Sequence, residues 1–199
     1  ETFVEGGDKF NFCKLIAGSE GTLFFSTELK INLVPALKPF AGLVCIHFNT
    51  INESLKANLE ALKFNPDSVE LIDHYILECT KGNIEQSKNR FFVEGDPAVV
   101  LVVEFLKDTA DEVLDTAKAL EEKLRSLGLG YHFPVVLGED TAKVWNLRKA
   151  GLGLLSNIPG DAKPVAVIED TAVDVNDLPQ FIEDFNKTLA GRGLHCVHY

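Results

Sequence analysis

The sequence predicts an α+β fold, a ferredoxin-like antiparallel sheet with helices on one face, and three observations predict it. The runs Ala41–Phe48 and Ala98–Phe105 are strongly apolar β patterns, each followed by a polar helix-capping pair and an amphipathic helical stripe. After each stripe a shorter β pattern returns. A third unit on the same strand, helix, strand plan begins at Val165.

Residues 1–8, polar and glycine-containing, read as loop. Lys9–Ile16 is amphipathic, with Phe10, Cys13, Leu15 and Ile16 at helical spacing, and Gly18 ends it. From Thr22 to Val34 the residues Leu23, Phe25, Thr27, Leu29, Ile31 and Leu33 recur with period two. That spacing predicts a strand burying one face while Ser26, Glu28, Lys30 and Asn32 point away. Pro35 and Pro39 then punctuate the chain and divide it into residues 1–38 and 39–199.

Beyond the boundary, Ala41–Phe48 is a continuous apolar strand. Asn49 and Thr50 cap a helix carrying Ile51, Leu55, Leu59 and Leu62, and Ser68–Ile72 is the returning strand. Of Tyr75–Phe92 the first half reads as helix. After the strand Ala98–Phe105, Thr109 to Glu112 forms a capping box, and Val113, Ala117, Leu120, Leu124 and Leu127 make the stripe of the clearest helix. Gly128 and Gly130 stop it, and Tyr131–Leu137 returns as a strand. In the third unit Val165–Val173 reads as strand, Asn176–Leu189 as helix, and Leu194–Tyr199 as strand.

Composition excludes several functions. The chain is 46% hydrophobic and 25% charged, enough for a packed core, and its net charge of −11 suits neither nucleic acid nor an anionic membrane as a main partner. No apolar stretch approaches the roughly 18 residues of a membrane span, and no signal or lipidation motif is visible. A cytoplasmic protein is therefore expected. Cys13, Cys45, Cys79 and Cys196 lack metal-ligand spacing and read as reduced core thiols. The first residue is Glu1 rather than Met, and the final residues resemble an interrupted strand, so a fragment of something longer is expected.

Two stretches carry chemistry. In Gly18-Ser19-Glu20-Gly21-Thr22, the glycines let the backbone bring its N–H groups against a ligand such as a phosphate or flavin edge; the alternative is a tight turn. In Val144-Trp145-Asn146-Leu147-Arg148, a helix puts Arg148 on the apolar face with Val144 and Leu147. An arginine there needs an anion, because it cannot shed its charge. That anion is either a ligand or one of the thirty acidic residues. Glu169 and Asp170 are adjacent on a strand and face opposite ways, so they cannot share a proton as a dyad. His47, His74 and His132 read as structural, and His195 and His198 have poor metal geometry.

Gly18-Ser19-Glu20-Gly21-Thr22-Leu23, followed by Thr27-Glu28-Leu29-Lys30-Ile31-Asn32-Leu33-Val34-Pro35, resembles the last strands of the FAD-binding domain in FAD-linked oxidases. This family includes the D-lactate, glycolate and D-2-hydroxyglutarate dehydrogenases. Phe24 stands where the family most often has a glycine. The segment Val144-Trp145-Asn146-Leu147-Arg148-Lys149 resembles the family's W-x-x-R-E/K motif.

The resemblance implies that residues 1–38 are the tail of an FAD-binding domain and 39–199 most of a cap domain that holds the substrate. It implies FAD contacts at Gly18, Ser19, Glu20, Gly21 and Thr22, and a substrate carboxylate gripped by Arg148. For a second cation, counting without gaps from Arg148 reaches Lys163, while anchoring on the Asp170 strand puts Ile168 at the family's lysine; otherwise Lys163 is a loop lysine beside Pro164. A base and a divalent metal would lie in a motif beyond Tyr199. Leu152–Asn157 and Pro159–Pro164 are most like the branch fused to an iron–sulfur domain, which would accept electrons. The implied activity is FAD-dependent oxidation of a D-2-hydroxy acid, with the isolated fragment inactive; the alternative is a non-catalytic ferredoxin-like module binding a ligand or partner.

Overall fold

The computed structural model describes residues 11–161, 163–168 and 171–198. The loop expected over residues 1–8, the start of the Lys9–Ile16 helix, the Glu169–Asp170 pair and Tyr199 lie outside the described residues. The chain divides after Ala36 into two units, each described by itself.

In the first unit, α1 (Phe12–Gly18) starts at Asn11, whose side chain accepts from the Cys13 amide at 3.0 Å. Phe24 folds back edge-on to Phe12 of α1, ring centroids 5.1 Å apart. The strand expected over Thr22–Val34 does not form, and Leu23, Phe25, Leu29, Ile31 and Leu33 are exposed. Alternation marks which side would face a core, but a strand also needs a neighbour for its backbone groups, and no described residue supplies one. Cys13, expected in a core, is exposed on this short helix.

The second unit is built on a four-stranded antiparallel sheet in the order β2-β3-β1-β4. Its strands are β1 (Phe40–Phe48), β2 (Ser68–Asp73), β3 (Val99–Lys107) and β4 (Val135–Leu137). With α2 (Ile51–Ala61) after β1 and α4 (Ala110–Ser126) after β3, this is the ferredoxin-like order, with α3 (His74–Lys81) and a 3-10 turn, Gln86–Phe92, inserted between β2 and β3. The central pair runs in register from Phe40↔Lys107 to Phe48↔Val99. β4 is shorter than the predicted Tyr131–Leu137, because Pro134 has no N–H to donate; beyond it pairing is reduced to a bridge between His47 and His132.

The α+β class and the ferredoxin-like antiparallel sheet hold, but the expectation of helices on one face does not. On one face Val44, Ile46, Phe48, Leu101, Val103 and Phe105 meet Ala57 and Ala61 of α2 and Ala117, Leu120 and Leu124 of α4. On the other, Leu43, Cys45, Val100, Val102 and Val136 meet Ile76 and Leu77 of α3, Phe92, and Val144, Leu147 and Leu155 of α5 (Asp140–Leu155). The physical reason was present in the runs themselves. A strand apolar at every position must be covered on both sides.

Local chemistry places these helices. Thr50 accepts from the Glu53 amide and Thr109 from the Glu112 amide, each at 3.2 Å, while the Glu112 carboxylate reaches back to the Asp108 amide at 3.2 Å. The buried face of α2 is Ser54, Leu55, Ala57, Asn58 and Ala61, turned from the expected stripe, so that Leu62 is exposed; small residues there let the helix lie close to the sheet. Gly42 does the same for α4. A Cβ on it would sit 2.3 Å from Val113 Cγ1 and 2.7 Å from Leu137 Cδ2.

Of the third unit, only the helix forms, as α6 (Leu178–Ala190). The strands expected over Val165–Val173 and Leu194–Tyr199 are absent from the described residues, and Val165, Val167, Ile168 and Val173 are exposed. These segments find no ladder to join, for the same reason as Leu23–Val34.

His47 is fully buried in β1. Its Nδ1 faces the Cys45 carbonyl at 2.9 Å and its Nε2 the Glu94 amide at 3.2 Å. A carbonyl only accepts and an amide only donates, so the ring is neutral with its proton on Nδ1. Burial pushes its pKa down from 6.5 to about 4, the Cys45 carbonyl opposing; nearby His132 lowers it further and Glu94 opposes. The Tyr131 ring also packs against it. The unfolded chain then binds the proton more readily, so stability is intact above pH 6.5 and falls as pH drops towards 4, by roughly 3 kcal/mol at pH 4 from this group. Denaturant melts across that range will show the loss, and His47→Gln will flatten it.

Candidate functional site

α5 carries the informative arginine. Val144 and Leu147 are fully buried against the sheet, and Arg148, on the same side of the helix, keeps only 14% of its side chain exposed. Trp145 is half-buried and packs on the same core. On the sheet face that α3 and α5 cover, the edge strand β2 carries Glu70, which pairs with Val102 of β3 and so faces the same side as Ile72. Arg148 Nη2 donates to Glu70 Oε2 at 3.0 Å. Glu70 remains 43% exposed, so the pair joins a sheltered cation to a carboxylate that still reaches water.

Sequence reasoning placed Arg148 on the apolar face correctly and missed Glu70. A signal for it existed. In Ser68-Val69-Glu70-Leu71-Ile72, period two sets Glu70 beside Ile72 on the face that α5 covers.

Other cations are committed differently. Arg90 is half-buried and closes the end of α3, donating to the Leu77 carbonyl and, at 2.7 Å, to Thr80 Oγ1. Lys163 is exposed and donates to the Ile158 carbonyl, so it and Arg148 are held by different partners. His74, Glu78 and Asp96 bring ligand atoms within 4.8 Å of one another, but Lys81 already pairs with both carboxylates, and the cluster is an ion-pair network. A cavity of about 360 Å³ opens between the start of α3 and residues 194–198, lined by Asp73, His74, Asn186, His195 and His198 among others. There the His198 amide donates to Asp73 at 3.2 Å, and His198 Nε2 meets Asn186 Oδ1 at 3.0 Å. Burial lowers the His198 pKa, with Asp73 opposing. Burial also raises the pKa of the neighbouring Cys196 thiol, and Asp73 adds to the shift.

The stretch Gly18–Thr22 forms a tight turn after α1. The Thr22 amide donates to the Ser19 carbonyl at 2.8 Å, while Glu20 and Gly21 take φ of 47° and 75°. Ser19 is buried, its hydroxyl bonded to the Ile16 carbonyl at 2.8 Å. Beside Gly18 and Gly21 the space that a Cβ would occupy is open, and the Glu20 and Gly21 amides bond to no described residue. A turn with two available amides and no side chain in the way fits the polar edge of a flavin cofactor.

Residues 38–199 match the family model for FAD linked oxidases, C-terminal domain. The chain is 30% identical over 196 residues to a D-2-hydroxyglutarate dehydrogenase of Pseudomonas putida, covering 94% of the chain and 19% of that protein. It is 30% identical over 198 residues to the enzyme of that name in Haemophilus influenzae, and 27% over 197 residues to that of Escherichia coli, with the same shares. The chain thus spans about a fifth of the length of the curated relatives it matches. Among the described residues no helix is long and apolar enough to cross a membrane.

Proposed function

The chain belongs to the FAD linked oxidases through their C-terminal domain, and from that premise we propose that residues 39–199 are the substrate-binding cap of a longer flavoprotein that oxidises a D-2-hydroxy acid to the 2-oxo acid. Residues 1–38 are the tail of its FAD-binding domain. The observation that carries the reading is Arg148, a sheltered cation on a helix seated against the core, whose Nη2 donates to the half-exposed carboxylate of Glu70. The names of the relatives point to a 2-hydroxy dicarboxylate, D-2-hydroxyglutarate, as the first acid to try.

In this reading the Arg148 guanidinium takes the substrate carboxylate, its planar fork matching both oxygens. Val144 and Leu147 hold the helix, so the substrate is oriented by rigid structure, and orientation is the cap's share of catalysis. Lys163, released from the Ile158 carbonyl, adds a second positive charge. The turn Gly18–Thr22 presents the Glu20 and Gly21 amides to the cofactor. A bound FAD supplies the acceptor for the hydride leaving C2. The base, the divalent metal and the iron–sulfur electron acceptor belong elsewhere in the longer polypeptide. Four free cysteines suit a reducing compartment, and a cytoplasmic location is part of this reading.

Turnover of the full-length protein with an artificial electron acceptor tests this. D-2-hydroxyglutarate, D-lactate and glycolate are offered singly, with the L-enantiomers of the chiral acids as controls. Reduction of the acceptor by a D-acid and not by its L-form is expected; no turnover with any of them leaves the non-catalytic binding module in its place.

A further inference from the structure

Arg148 is already engaged with a carboxylate inside its own domain, and that carboxylate has the chemistry of the ligand proposed for it. Glu70 stands on an edge strand, on the face covered by α5, and contributes one oxygen, Oε2, at 3.0 Å from Nη2. The two partners are unequal. Arg148 keeps only 14% of its side chain exposed, next to the fully buried Leu147, whereas Glu70 is nearly half in water. A carboxylate so exposed rehydrates with little penalty when it lets go, while the guanidinium cannot follow it out without pulling on the core. Exchange of one carboxylate for another at Arg148 is therefore downhill for the incoming acid and nearly neutral for Glu70.

We propose that Glu70 is an internal placeholder for the substrate carboxylate, holding Arg148 oriented in the free protein and giving way when the acid binds. This rests on the reading of Arg148 as the carboxylate clamp. Its consequence is a built-in competition. Apparent affinity is the intrinsic affinity reduced by the fraction of molecules in which Arg148 is released from Glu70.

Glu70→Gln preserves shape and removes the charge, so it separates competition from packing. With the full-length flavoprotein, the dissociation constants of 2-oxoglutarate and pyruvate are read by calorimetry, alongside KM for the matching hydroxy acids. The placeholder predicts binding about 3- to 10-fold tighter in Glu70→Gln for both ligands, with thermal stability little changed. Weaker binding would show that Glu70 positions Arg148 without competing, and unchanged binding that the pair is structural; either overturns the proposal. Arg148→Ala is measured in parallel. If it leaves both dissociation constants unchanged, the clamp itself has failed; if it abolishes binding while Glu70→Gln binds like the wild type, only the placeholder has.

Discussion

Replacing Arg148 by alanine in the full-length protein will raise the dissociation constant for the 2-hydroxy acid and lower kcat/KM by about 30- to 5,000-fold, with flavin content and fold retained. The estimate follows from removing one partner of a sheltered, charge-assisted carboxylate contact, which costs about 2–5 kcal/mol. The effect falls on binding more than on folding, because the carboxylate left behind in the ion pair described above is that of Glu70. It is 43% exposed and turns to water when its cation is gone. Arg148→Lys will recover part of the affinity, since a point charge replaces a planar fork. Steady-state kinetics with flavin absorbance as a loading check measures both.

Leu147→Ala will destabilise the cap domain by about 2–5 kcal/mol, the usual cost of emptying a fully buried leucine site. Leu147 is completely buried with Leu43, Cys45, Val136 and Val144, at the place where α5 lies on the sheet. The void has little chance to collapse, because α5 is also held against α3 and Phe92 through the same core. At about 2–4 °C per kcal/mol for a domain of this size, the midpoint of thermal unfolding should drop by roughly 5–15 °C. Substrate affinity should weaken as well, below the loss in Arg148→Ala, because the helix that aims Arg148 is loosened. A midpoint within a degree of the wild type would mean that α5 is not seated as described.

The legible parts of this fold were those whose signals are local. The runs Ala41–Phe48 and Ala98–Phe105, the caps at Thr50 and Thr109, and the stripe Val113 to Leu124 all appear where residue spacing puts them. Leu23–Val34 and Val165–Val173 carry β patterns of similar quality and form no strand among the described residues, because pairing is non-local and the pattern is silent about the partner. The second helical layer was written in the unbroken hydrophobicity of β1, which asks for cover on both sides, and was overlooked there. At the site, the period of α5 was enough to turn Arg148 inward. Its counter-ion lies 78 residues away in the chain, and no spacing rule joins two residues brought together only by sheet order and helix crossing.

The turn at Gly18–Thr22 shows a different limit. Its glycines were read as room for a ligand or as a tight turn, and the turn is present with open space beside it. Both readings agree with that geometry, and chemistry on the cofactor separates them.

The most direct measurement is the absorption spectrum of the full-length protein under anaerobic conditions, titrated first with D-2-hydroxyglutarate and then with D-lactate. A flavin band that bleaches with a D-2-hydroxy acid, and stays unbleached at the same concentration in Arg148→Ala, is the result predicted. A protein with no flavin band, or one whose band no hydroxy acid alters, would contradict the account and leave residues 39–199 as a binding domain without this chemistry.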